Sequence, residues 1–233
     1  MSLAIRSYEK ELLDDDNISF RDILGTMQEL KVINTFLGGH NITRTGIEFF
    51  LKDTAPDQKL LVAEIGCGGG DNLAATHIFL QGANRSADLI GVDIKEECLE
   101  FAATRTVGNV QWICSDYRKT IWPERKPDII FSSLFCHHFE DEQLIEQLKW
   151  LRENSKAGFF INDLHRNAVA YYSIKFITRF FSKSALVKND APLSVKRAFK
   201  RKDWVRLLAA AGIRRYTIKW KWAFRYLICV PND

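Results

Sequence analysis

The sequence predicts a doubly wound α/β domain: a mostly parallel sheet with helices on both faces, an N-terminal helical lid and an antiparallel hairpin strand at the carboxyl end. Three observations predict it. Five short apolar runs alternate with amphipathic stretches, as parallel strands buried on both faces and joined by right-handed crossovers require. A run of glycines opens the helix that follows the first strand. The end, RRYTIKWKWAFRYLICV (214–230), alternates polar and apolar residues with no room for a crossover helix, and so reads as a hairpin.

The elements follow in order. A helix is expected from Phe20 to Leu37, because Ile23, Leu24, Met27, Leu30, Ile33, Phe36 and Leu37 share one broad face. Ser19 and Asp22 resemble a capping box, and Gly38-Gly39 supplies the stop. A short second helix falls near 43–53. Strands are expected at 60–65, 88–93, 109–114, 128–133 and 158–163, and helices at 71–81, 95–104, 141–152, 168–182 and 203–211.

No repeat or Pro/Gly linker divides the 233 residues, and at ~150 residues per domain a single elaborated domain is expected. It comprises a helical cap (1–54), a core (55–163), a basic insertion (164–202) and a last helix with hairpin (203–233). The 46% hydrophobic content supports a core and argues against disorder. No apolar run approaches the ~18 residues of a spanning helix. The start, MSLAIRSYEKELLDDDN, has no signal-peptide apolar region. Five scattered cysteines without a CxxC pair indicate neither a disulfide framework nor structural zinc. A reducing, cytoplasmic location and no metal are expected.

The net charge of +4 is polarised: residues 1–165 hold 17 Lys/Arg against 26 Asp/Glu, and residues 166–233 hold 16 against 3.

The chemistry concentrates in LLVAEIGCGGGDN (60–72). A buried strand ends at Glu64, and Gly66, Gly68, Gly69 and Gly70 form a turn into a helix, where backbone amides can approach a ligand closely. Open α/β sheets bind nucleotides at this place. The dinucleotide pattern G-x-G-x-x-G/A fails in both registers, at Asp71 and at Leu73. Asp93 ends the second strand, where a carboxylate can accept from ribose hydroxyls. Asp116 follows the third, where a carboxylate could bind an adenine amino group with Tyr117 beside the ring.

The pattern E-x-G-x-G-x-G, with one acid after strand two and another after strand three, resembles the class I S-adenosylmethionine-dependent methyltransferases over roughly residues 55–165. The resemblance implies a Rossmann-like fold, with S-adenosyl-L-methionine as cofactor and S-adenosyl-L-homocysteine as product. It implies that Glu64 sits at the loop's base, and that Gly66 and Gly68 lie against the methionine part. Asp93 would meet the ribose, Asp116 and Tyr117 the adenine, with Cys67, Ile94 and Ser133 further cofactor contacts. A strand-end Asp can also be only a helix cap.

The stretch PDIIFSSLFCHHFEDEQL (127–144) is similar to quinone-biosynthesis methyltransferases and their small-molecule O-methylating relatives. The (N/D/S)-P-P-(Y/F) loop of nucleic-acid amino methyltransferases and the Pro-Cys pair of cytosine C5 enzymes are both missing. INDLHRNAVAYYSIK (161–175), with LDDD (13–16) and VINTFLGGH (32–40), looks like a bacterial subgroup found among aryl-polyene and polyketide-type pigment genes. By that resemblance Asn34, Gly38 and His40 would be lid contacts.

His137 and His138 are the leading acid/base candidates, since an imidazole of pKa about 6.5 can take a proton from a phenol. Neighbours on an extended segment point opposite ways, so one faces the site; His138 is favoured, with His137 structural. Asp163 could orient a histidine and His165 could be a second base; alternatively both cap the next helix. The expected function is O-methylation of a phenolic, quinol-like or carrier-bound small molecule. The alternatives are a C-methyltransferase, an RNA methyltransferase, or a non-catalytic nucleotide-binding module, which the intact glycines and acids oppose. The basic segment admits a solvated face, a dock for an acidic carrier protein, or contact with an anionic membrane surface. No nucleic-acid motif beyond charge supports a nucleic-acid partner.

Overall fold

The computed structural model describes residues 3–15, 18–105 and 108–232; Asp16 of the LDDD motif falls outside them. Seven strands form one sheet: β1 (Leu60–Ile65), β2 (Ala87–Asp93), β3 (Val110–Cys114), β4 (Ile129–Ser133), β5 (Gly158–Leu164), β6 (Thr217–Lys221) and β7 (Arg225–Pro231). Their order is β3-β2-β1-β4-β5-β7-β6. β1 to β5 pair in parallel, and β7 runs antiparallel to both β5 and β6. This is the Rossmann-like architecture predicted, with the hairpin at one edge. The order reverses at β1, whose neighbours are β2 and β4, and the crevice at its carboxyl end is where such sheets hold ligands.

The crossover helices are α3 (Asp71–Gly82), α4 (Glu96–Arg105), α5 (Asp141–Asn154) and α8 (Arg201–Ala210). β1, β4 and nearly all of β5 and β7 are buried, so their side chains feed two apolar layers. One joins Ile130, Phe159 and Ile161 to Leu144, Leu148 and Trp204 of α5 and α8. The other joins Val62, Phe131 and Phe160 to Leu73 of α3 and to Ile47 and Phe50 of α2 (Gly39–Leu51). Each fully buried side chain of this kind contributes about 1.5–3 kcal/mol.

Over the carboxyl edge lies α1 (Phe20–Phe36), capped by Ser19, whose side chain accepts from the Asp22 amide. Its Ile23 and Met27 pack on Cys98 and Phe101 of α4. Its Ile33 packs on the cluster that Ala170, Tyr171 and Ile174 form on α6 (Ala168–Phe181). Gly38 takes φ +73° and turns the chain directly into α2, which therefore begins at Gly39, four residues before the expected start.

The segment 183–202, read only as a basic stretch, contains α7 (Ala185–Arg197) with Pro192 inside it. The proline and the mixed polar sequence hid this helix; Ser184 caps it by accepting from the Val187 amide. The N-terminal residues strap across the same edge. Leu12 and Leu13 amides donate to the Asp190 carboxylate at 2.8 and 2.9 Å, and Lys95 Nζ donates to the Leu13 and Asp15 carbonyls at 2.8 and 3.0 Å.

Candidate active site

The glycine turn leaves β1 with Gly66, Gly68 and Gly70 at φ +64°, +47° and +72°, a region that side-chain-bearing residues rarely adopt. A Cβ on Gly66 would also lie 2.2 Å from the Phe135 ring. Met27 of α1 covers the turn, its Sδ 3.7 Å from where a Gly68 Cβ would stand. Asp93 closes the crevice from β2. Its Oδ2 accepts from the Gly68 amide at 2.8 Å and its Oδ1 from the Lys95 amide at 3.0 Å. Burial raises its pKa against the pull of those amides. Beside it Ile94 is 69% exposed, an apolar surface at the crevice.

Glu64 is buried, with Oε1 accepting from Asn72 Nδ2 at 3.2 Å and Oε2 without a hydrogen-bond partner among the described residues. Burial, together with the charges of Asp71 and Asp93, pushes its carboxyl well above the usual range. Cys67 is buried behind the turn. Ser133, at the end of β4, accepts from Asn162 Nδ2 at 3.1 Å.

The two residues expected at an adenine are otherwise engaged. Asp116 takes Arg118 Nε on both oxygens at 3.0 and 3.1 Å and accepts from the Arg118 amide; that guanidinium holds its carboxyl below the usual range. The Tyr117 ring is enclosed edge-on by Phe135, Phe139 and Trp150. A base amino group would have to share Asp116 with Arg118.

Residues Cys136–His138 coil into a 3-10 turn, and this corrects the extended geometry expected for the pair. The imidazoles do not diverge; their centroids lie 4.4 Å apart. His137 Nδ1 meets Asp163 Oδ1 at 2.8 Å, with both side chains buried. Asp163 also accepts from the Leu164 amide at 2.7 Å and the His137 amide at 3.3 Å. Burial opposes the Asp163 charge, but the His137 imidazole and the Leu164 amide hold its carboxyl below the usual range.

His138 Nδ1 meets Asp14 Oδ1 at 3.0 Å. Burial works against its charged form, but the bond to Asp14 and the nearby Glu11 carboxylate outweigh it and raise the His138 pKa. Glu11 reaches both rings, its oxygens 3.6 Å from His137 Nε2 and 3.9 Å from His138 Nε2. These ligand atoms lie within 4.8 Å of one another, a set that could approach a cation. Arg197 Nε at 3.9 Å from Glu11 already places a positive charge there. Arg6 and Arg197 also fix the turn by donating to the His137 carbonyl at 3.2 and 3.0 Å.

His165 does not join this pair but packs on Tyr226 at 4.9 Å; burial, with Lys200 and Arg166, lowers its pKa. Asn34 and His40 converge on Asp71, at 2.8 and 2.7 Å. Arg225, fully buried, donates through Nη1 to Asn34 Oδ1 at 2.9 Å, while its Nε has no hydrogen-bond partner among the described residues. Burial lowers its pKa to about 10. Glu11 carried no role in the sequence reading, and Asp14 had a signal only as part of LDDD. Arg197 and Arg225 were read there as part of the basic surface, but both side chains are buried.

Residues 62–158 match the family model described as a methyltransferase domain. Over 124 residues the chain is 27% identical to phosphoethanolamine N-methyltransferase 3 of Arabidopsis thaliana, covering 51% of this chain and 24% of that protein. The wheat (Triticum aestivum) phosphoethanolamine N-methyltransferase matches over the same length at 27%. The chain thus spans about a quarter of the length of these curated relatives.

Among solved structures, the plantazolicin methyltransferase BpumL in complex with SAH is similar with a TM-score of 0.70 and 18% identity, covering 95% of this chain and 92% of that one. Magnesium protoporphyrin IX methyltransferase from Synechocystis, with bound SAM, gives 0.56 at 16% identity over 94% and 86%. Human N-acetylserotonin methyltransferase in complex with SAM gives 0.64 at 16% identity over 92% and 57%.

Proposed function

We propose that this chain methylates an oxygen of a small phenolic or quinol-like acceptor, free or carrier-bound, using S-adenosylmethionine, with a histidine as general base. The single observation that carries the base assignment is the His137–Asp163 bond of 2.8 Å, two residues from Phe135, whose ring lies on the glycine turn.

The residues fit the cofactor in kind. The glycine turn, with no Cβ over its amides, can take the amino-acid end. Asp93 is an acceptor for ribose hydroxyls, Ile94 offers an apolar face to the base, and the unpaired Arg225 Nε and Glu64 Oε2 are a donor and an acceptor suited to a carboxylate and an ammonium. When bound, the cofactor supplies a sulfonium methyl that needs no metal to be electrophilic.

The chain's own residues must hold the acceptor and remove its proton. An Nδ1–H donated to Asp163 leaves the lone pair on His137 Nε2, as a base requires. Asp163 then stabilises the imidazolium that forms, and the buried turn excludes water. Glu11 faces Nε2 across 3.6 Å, so an acceptor hydroxyl takes the place that this carboxylate now holds. A phenol suits such a base better than an aliphatic alcohol, because its proton is far more acidic.

Calorimetry with SAH on folded protein should show binding that Asp93→Ala weakens by about tenfold or more, the loss of roughly one hydrogen-bonded charge. Labelled methyl transfer to a panel of phenols, compared with total RNA, should favour the phenols and fall ~10²–10⁴-fold in His137→Gln. Transfer that survives this variant refutes the base, and absent SAH binding refutes the function.

A further inference from the structure

We propose that the face built by α6, the end of α1 and the β6–β7 turn is a docking surface for an anionic lipid bilayer. The juxtaposition of exposed aromatic side chains with a one-sided basic stripe on this face carries the inference.

α6 is apolar on two sides. Ala170, Tyr171 and Ile174 face the molecule and are buried. On the outward side Tyr172, Phe176 and Phe180 follow at intervals of four and are 62%, 60% and 63% exposed, flanked by Val169, and Phe181 is exposed at the helix end. A helix apolar all round is ordinarily buried; this one has no cover on its outer side among the described residues. The patch continues onto its neighbours. Ile33 of α1, Leu37 just after it and Phe224 beside the hairpin turn pack against the cluster on the inner side of α6, which brings the exposed Val32, Phe36 and Trp222 to the same region. Trp222 reaches Phe224 at 6.4 Å, and its carbonyl lies 3.9 Å from where a Gly38 Cβ would stand.

The charge decides the occupant. Lys175 and Arg179 recur along one flank of the ridge, and Lys183 follows just beyond the end of α6, where its amide donates to the Glu29 carboxylate at 2.8 Å; all three are exposed. From residue 168 to residue 189 there is no Asp or Glu, and Asp190 is turned inward onto the Leu12 and Leu13 amides. A second copy seated on this face by a twofold axis across the ridge would bring basic stripe against basic stripe. A bilayer with anionic headgroups accepts both parts, the rings at the acyl boundary and the cations at the headgroups. The outward side chains come from three elements, a spread that suits a plane better than a single inserted peptide.

The test is flotation of the full chain with phosphatidylcholine vesicles with and without phosphatidylglycerol, at low and high salt. The surface predicts binding to the anionic vesicles that salt weakens. Lys175→Gln/Arg179→Gln/Lys183→Gln should reduce it about a hundredfold, and Phe176→Ser/Phe180→Ser about tenfold or more. These side chains are exposed, so circular dichroism and the urea midpoint should match the unmodified chain. No binding to anionic vesicles overturns the proposal, as does binding unmoved by the phenylalanine pair, which would be charge adsorption alone. Concentration-dependent dimerisation abolished by the same pair, or capture of an acidic carrier protein without vesicle binding, would give the face to another occupant and equally overturn it.

Discussion

Replacing Asp163 by Asn keeps the shape of the side chain and removes its charge, so the cost can be worked from the donors around it. Oδ1 receives two, His137 Nδ1 at 2.8 Å and the Leu164 amide at 2.7 Å, whereas Oδ2 receives only the His137 amide at 3.3 Å. The asparagine therefore keeps its carbonyl at the Oδ1 position and sets its NH2 against the His137 N–H. One buried backbone donor is left without a partner, costing about 1–3 kcal/mol. The imidazole tautomer is retained, but the imidazolium loses a charged partner for a neutral one, so turnover should fall about tenfold or more.

The pH dependence separates this account from a simple packing defect. Asp163 has a folded-state pKa below its unfolded value, so its contribution is complete above the unfolded pKa of about 4 and is lost as pH falls through the folded value. Urea unfolding of both proteins should show a gap that is constant from pH 7 to about 5 and then narrows. A gap that stays constant at lower pH, or stability equal to that of the unmodified chain at pH 7, would refute the reasoning.

Three other outcomes are expected. Gly66→Ala must bear both the positive φ and the 2.2 Å approach to Phe135; it should lose about 1–3 kcal/mol of stability and weaken SAH binding, read by urea titration and calorimetry. His138 has a raised folded pKa, so its contribution is present below about pH 6.5 and lost as pH rises through the folded value; Asp14→Asn should flatten that alkaline decline in the unfolding free energy. Glu64→Gln removes a carboxyl whose folded pKa is raised, so the variant should gain stability relative to the unmodified chain as pH rises above about 4.3, seen as a midpoint difference that grows from pH 4 to 8.

What was legible in the sequence follows the range of the interactions. β1, the glycine turn and Asp93 are set by local patterns, apolar runs and backbone-permissive residues, and they stand where the residues said. The hairpin was equally visible, but Arg225 within it was not. Alternation marks a charged residue as outward, yet Arg225 is fully buried because the chain before Gly39 brings Asn34 over it, a contact 191 positions away in sequence. α7 was missed for a different reason: a proline and a polar run lower local helix propensity, while Val187, Leu193 and Val195 are buried by tertiary packing. The histidine pair shows the same division most clearly. Their chemical aptitude could be read from residue type, but the choice between them depended on chain geometry, since a 3-10 turn sets both rings on one side. Their surroundings are then drawn from three remote places, with Asp163 from β5, Glu11 and Asp14 from the N-terminal strap and Arg197 from α7. A catalytic reading of one histidine over the other thus rests on which carboxylate is the more deeply buried. Asp163, with no exposure against 33% for the Asp14 side chain, is the partner that water screens least, and that points to His137.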